Sequence, residues 1–118
     1  MRHSFTAGLS TCVFTSLLVV PAVAGGGPVA QTSAVRTVTI KDIAFKPGKI
    51  SAERGTEVRW LFRDGLTFHN VRSGAERRFR GSRDMRKGAF SKRFRRAGRY
   101  RYMCTLHPLA MRGVVVVR

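Results

Sequence analysis

From Arg36 onward apolar and polar positions alternate. Val38 and Ile40 face one way and Thr37, Thr39 and Lys41 the other, the period-two signature of a half-buried strand. A second apolar group, Ile43 and Phe45, runs into the turn residues Pro47-Gly48. Lys49 to Glu53 reads as a short strand, Arg54-Gly55 as a turn, and Glu57 to Phe62 as a strand with Val58, Trp60 and Phe62 on one face. After the Asp64-Gly65 turn, period-two spacing places His69 and Val71 on one side of the next strand. Ser73 to Gly88 has no clear period and reads as a long basic loop with room for one helical turn. Ala89 to Phe94 resumes as a strand. Arg99 to Cys104 then puts Tyr100, Tyr102 and Cys104 on one face and Met103 on the other. Gly113 opens a last strand, Val114 to Val117, whose unbroken apolar run predicts burial on both faces. Seven or eight short strands with no long amphipathic helix predict an all-β Greek-key β-sandwich.

The first residues break this pattern. Arg2 and His3 precede an apolar run through Leu17, Leu18, Val19 and Val20 that ends at Pro21, Ala22 and Ala24, the layout of a secretory signal peptide. The expected organisation is a signal peptide over 1–24, cut after Ala24 or Ala30, a Gly-rich tether over 25–34 and one domain over 35–118. Periplasmic or extracellular placement follows. Cys12 lies inside the apolar run instead of at its end, which argues against lipid attachment.

Export changes the meaning of the remaining chemistry. Of the two cysteines, Cys12 leaves with the signal, so Cys104 has no disulfide partner in an oxidising compartment. A buried apolar cysteine is the plain alternative. Its surroundings point elsewhere, because Cys104, His107 and Met111 fall within eight residues and offer a thiolate, an imidazole and a thioether, a soft set that selects copper. His69 supplies a second imidazole from another strand. Loss of His3 leaves these two histidines as the only ones in the mature chain. The expected metal ligands are His69, Cys104, His107 and Met111, with Met85 as the fallback thioether. A single thiolate excludes a two-thiolate copper-A centre.

The segments Val38-Thr-Ile-Lys-Asp-Ile-Ala-Phe-Lys-Pro47, Gly55-Thr-Glu-Val-Arg-Trp60, His69-Asn-Val71, Gly98-Arg-Tyr-Arg-Tyr-Met-Cys104-Thr-Leu-His107-Pro108 and Gly113-Val-Val-Val-Val117 resemble small cupredoxins of the plastocyanin, pseudoazurin and amicyanin type. The resemblance covers most of the chain after Val35. It implies a cupredoxin-like fold and one type 1 copper ion, with His69, Cys104 and His107 equatorial and Met111 axial. It also implies that Asn70 braces the ligand loop through Thr105. The function implied is single-electron transfer between redox partners by Cu(I)/Cu(II) cycling, with copper storage, delivery or tolerance as the alternative. It implies no enzymatic activity. The loop departs from the resemblance in having three residues between His107 and Met111, against two in amicyanin-like and four in plastocyanin-like loops.

Charge adds a question about partners. The formal net charge is +17, and the 72–101 stretch holds thirteen basic residues opposed by Glu76 and Asp84 alone. Such a surface suits plain solvation, steering toward a redox partner with an acidic docking surface, or contact with an anionic membrane. Nucleic acid is disfavoured, since export removes the usual partner and no aromatic reading motif interleaves the arginines. A monomer is expected. No Walker loop, dinucleotide fingerprint or internal repeat is present.

Overall fold

The structure, a computed structural model, describes residues 33–118 together with Gly8 and Gly25–Gly27. The expected signal peptide apart from Gly8, both expected cleavage positions and part of the expected tether thus lie outside the described residues. Among the described residues no helix is long and apolar enough to cross a membrane.

Eight strands form two four-stranded sheets that pack as a sandwich. They are β1 (Val35–Lys41), β2 (Ala44–Lys46), β3 (Lys49–Ala52), β4 (Thr56–Phe62), β5 (Arg72–Ser73), β6 (Gly88–Phe94), β7 (Gly98–Met103) and β8 (Arg112–Val117). One sheet has the order β2-β1-β4-β6 and the other β3-β8-β7-β5. The β1–β4 and β3–β8 pairs are parallel and the others antiparallel.

The alternation in the sequence becomes the core. Val38, Ile40, Val58, Trp60 and Phe62 point inward from the first sheet and Ile50, Tyr100, Tyr102, Val115 and Val117 from the second, all buried. Trp60 lies at the centre, with ring centroids 5.3 Å from Tyr102, 5.6 Å from Phe90 and 6.4 Å from Phe94. Its remaining side is covered by Phe79, whose ring stacks at 6.2 Å and meets Phe94 edge-on at 5.4 Å. Phe79 belongs to the long basic loop, which therefore closes one side of the sandwich.

Two expectations need correction, and Ile43 adds a detail the apolar pattern left open: with Asp42 it forms the two-residue β1–β2 turn, with φ of 51° and 54°, and it is exposed. Positive φ at both central residues matches the twist that a tight hairpin needs. His69 and Val71 do not lie in a regular strand, because residues 69–71 bond to the loop opposite: His69 exchanges backbone hydrogen bonds with Met85, and Val71 pairs with Ser82. Finally, β8 is buried on one face only. Val115 and Val117 are enclosed, whereas Val114 and Val116, on the other face, are only half-buried.

The core also holds two orphaned polar atoms, Trp60 Nε1 and the Tyr102 hydroxyl, which have no hydrogen-bond partner. Burial pushes the Tyr102 hydroxyl from 10.0 up to about 12, and the adjacent Trp60 indole offsets this only in part. The folded value exceeds the unfolded one, so the stability linked to the neutral phenol is complete below pH 10 and lost as pH rises through about 12. At ~1.4 kcal/mol per unit this amounts to roughly 3 kcal/mol. Tyr102→Phe is expected to remove that alkaline loss while leaving stability near neutral pH unchanged or slightly raised. Urea midpoints of both proteins at neutral and strongly alkaline pH check it; parallel losses in the two would show that Tyr102 is not the cause.

Candidate metal centre

The site forms where the end of β7 meets the segment after β4. Alternation along β7 carries Cys104 to the inner face just past the strand, fully buried, while Met103 points outward. The next residues turn tightly. The His107 N–H donates to the Cys104 carbonyl at 3.2 Å, the Met111 N–H to the His107 carbonyl at 2.9 Å, and the Cys104 N–H to the Met111 carbonyl at 3.1 Å. This closed loop fixes Cys104, His107 and Met111 relative to one another before any metal arrives. Arg112 adds a clasp from outside, its Nε donating to the Pro108 carbonyl at 2.9 Å.

His69 approaches from the opposite segment. Its Nδ1 lies 3.9 Å from Cys104 Sγ, and His107 Nδ1 lies 3.7 Å from the same sulfur. The donor atoms of all three residues fall within 4.8 Å of one another. Two imidazole nitrogens converging on one buried thiol bring three lone-pair donors together. A soft ion at their centre suits the donor chemistry, so the residues fit copper. Met111 is fully buried on the same loop, whereas Met85 is only partly buried and engages His69 through the backbone. Met111 therefore shares the closed, buried loop of Cys104 and His107, and Met85 does not. His69, Cys104 and Met111 are sealed from solvent, and His107 alone is half-buried.

Asn70 ties the two segments together. Its side-chain carbonyl accepts from the Thr105 N–H at 2.9 Å, its amide donates to Thr105 Oγ1 at 2.7 Å and to Asp84 at 2.8 Å, and its backbone N–H points at Cys104 Sγ at 3.4 Å. The brace expected through Thr105 is present.

Two acidic residues were not foreseen as part of the site. Asp84 holds the second amide proton of Asn70. Asp64 has the larger role, because its carboxylate accepts from His69 Nε2 at 2.7 Å and from the backbone N–H groups of Asp42 and Ile43 at 3.0 and 2.9 Å. The Ile43 N–H, then His69 and Asp42, hold this carboxyl below its usual value against the opposing effect of burial. With Nε2 donating to Asp64, Nδ1 is the free nitrogen turned to the thiol, and the ring orientation is set from behind. In the sequence Asp64-Gly65 carries only a turn signal. An acidic residue a few positions before a candidate ligand histidine, across a tight turn, is the one hint available.

Comparisons with known proteins agree with this geometry. Residues 32–118 match the model of the family described as copper binding proteins, plastocyanin/azurin family. Among solved structures, a proline-to-glycine variant of amicyanin in its reduced Cu(I) form at pH 4 is 34% identical, with 77% of this chain and 87% of that chain covered and a TM-score of 0.64. A methionine-to-glutamine variant of amicyanin, Cu(I), is 31% identical over 72% of this chain and 83% of that one, with a TM-score of 0.65. A purple cupredoxin from Nitrosopumilus maritimus shares the fold at 23% identity and a TM-score of 0.62, with 70% and 98% covered. No curated protein matches at a significant level.

Proposed function

This chain belongs to the plastocyanin/azurin family of copper-binding proteins, and from that membership we propose that it carries single electrons between redox partners outside the cytoplasm. In this reading His69, Cys104 and His107 would hold the copper ion strongly and Met111 would add a weak thioether contact. Bound copper supplies a one-electron Cu(I)/Cu(II) couple. The chain's own residues then have defined tasks. Asp64 fixes the His69 ring, Asn70 locks the two ligand segments in register, and the closed 104–111 loop holds three donors in place. The single observation that carries the proposal is this convergence of both Nδ1 atoms on Cys104 Sγ within 4.8 Å. A site held this firmly by hydrogen bonds changes little between oxidation states, which favours electron exchange. The reading assigns no catalytic residue.

Burial favours this role over copper storage or delivery: three of the four proposed ligands are buried, whereas His107 gives a partner a half-buried edge to approach. Around it the two ligand-bearing segments expose Leu66, Phe68, Leu106 and Leu109, with Leu109 at 90%. Arg63, Arg86, Lys87 and Arg112 border the same end, and the Arg86 guanidinium lies 5.7 Å over the Phe68 ring. An apolar centre with a basic rim fits a redox protein whose docking surface is apolar at its middle and acidic at its edge. The protein acts as a monomer in this reading, in the periplasm or outside the cell.

The test sets metal release against electron exchange. Copper-loaded protein is expected to be reduced and reoxidised by small redox reagents within seconds, while a strong Cu(I) chelator strips it over hours. Its exchange with an acidic redox protein is expected to slow as salt rises, since the screening length is only ~8 Å at 0.15 M. Release of copper as fast as electron exchange would replace the carrier with a delivery protein.

A further inference from the structure

The thirteen basic residues between Arg72 and Arg101 do not form one face, because the fold sends them to opposite poles. Arg86 and Lys87 lie at the ligand end, next to Phe68 and the start of β6. The far pole collects the others of interest. There β6 ends, the 95–97 turn crosses to the second sheet, and β7 begins. A cleft of about 260 Å³ between the sheets is lined by Arg78, Lys92, Arg95 and Arg96 over the aromatic rings of Phe79 and Tyr100. None of these four cations makes an ion pair among the described residues, whereas Arg93 beside them is held by Glu57. Lys92 lies opposite the buried Val58, on the inward side of the β6 edge strand, and is half-buried without a carboxylate. The turn itself is built, since the Tyr100 hydroxyl donates to the Arg96 carbonyl at 2.7 Å.

We propose that this charged pole binds the phosphate headgroups of an anionic lipid surface and leaves the ligand end facing away from it. The inference rests on the carrier reading only for what the ligand end does. Two observations favour lipid over an acidic redox protein. First, seven residues of extended chain, Gly98 to Cys104, separate the pole from the thiol, about 20 Å at ~3.3 Å per residue. Electron tunnelling falls exponentially with distance, so an electron-transfer partner docked there would exchange poorly, while an anchor there costs the exchange nothing. Second, the chain enters the domain at this same pole. The Ala34 carbonyl accepts from the Glu57 N–H, and Val35 starts β1 beside the beginning of β4. The described chain thus enters the domain at the charged pole and not at the ligand end. Each arginine near an anionic bilayer strengthens adsorption severalfold, and several unpaired ones together suffice for reversible binding.

The test uses the full chain with sedimenting vesicles of phosphatidylcholine alone or containing about one third phosphatidylglycerol. Wild type is expected to bind the phosphatidylglycerol vesicles and to be released as salt approaches physiological strength and above. Arg95→Glu with Arg96→Glu is expected to lower the partition about tenfold or more, whereas Arg86→Glu with Lys87→Glu changes it less than about twofold. Apoprotein and copper-loaded protein are expected to bind alike, so failure of the copper reading leaves this result legible. An unchanged circular dichroism spectrum shows that each variant is folded. Equal losses from the two double variants, or equal binding to neutral vesicles, would overturn the proposal. So would a far-pole variant that binds vesicles normally but exchanges electrons more slowly with an acidic redox protein, which would assign the pole to protein docking.

Discussion

Cys104→Ser abolishes the intense visible absorption expected of the copper-loaded protein. That absorption comes from charge transfer between a thiolate and Cu(II), and Cys104 is the only cysteine among the described residues. Serine replaces sulfur with a hydroxyl of similar shape at a fully buried position, so the fold survives the change while the donor set loses its soft member. What remains is two imidazoles and a thioether, which retain Cu(II) weakly and with the faint colour of a nitrogen and oxygen site. Titration with copper followed by visible and electron paramagnetic spectra measures both effects, and circular dichroism controls for folding. If wild type itself gives only faint colour, or if the serine variant keeps the intense band, Cys104 is not the ligand and the type 1 assignment fails.

Asn70→Leu produces the largest loss expected from a residue that is not itself a ligand. The side chain is buried and makes three hydrogen bonds that join the His69 segment to Thr105 and Asp84. Leucine fits the volume but leaves the Thr105 N–H and the Asp84 carboxylate without their partner, at a cost of about 2–4 kcal/mol. The site loosens as well, because nothing else binds Thr105 to the opposite segment in this set of bonds. Expected results are a lowered urea midpoint and a broadened, weakened visible band at unchanged copper content. A stability change under about 0.5 kcal/mol with an intact spectrum would show that the packed loop alone holds the ligands.

The difference between what alternation revealed and what it hid has a physical basis. The Tyr100, Tyr102, Cys104 row and the Val58, Trp60, Phe62 row follow the strand period, so both their faces and the inward aim of Cys104 were legible. Phe79 was not, since it plugs the core from a loop where no periodicity applies and neighbouring arginines mask one aromatic ring. Asp64 was hidden by a local signal that is correct as far as it goes: Asp-Gly does make a turn, and nothing in the residue string says that the same carboxylate also holds His69 and the Asp42–Ile43 turn. Val114 to Val117 misled in the other direction. A continuous apolar run ordinarily means two covered faces, and here Val114 and Val116 on the outer face of β8 are only half-buried.

The parallel pairing of β3 with β8 governs how quickly such a molecule can assemble. Lys49 to Ala52 must wait for Val114 to Val117, and the second sheet has no partner for β3 until nearly the last residue is available. Topologies dominated by such distant pairings fold in milliseconds to seconds instead of microseconds, because loop-closure entropy is lost before the contacts repay it. The 104–111 loop sits immediately before β8, so its donors face His69 only once that final strand has docked. Only the folded sandwich brings the donors of that loop to His69, so copper that binds the native state more tightly than the unfolded chain draws the equilibrium toward the finished fold.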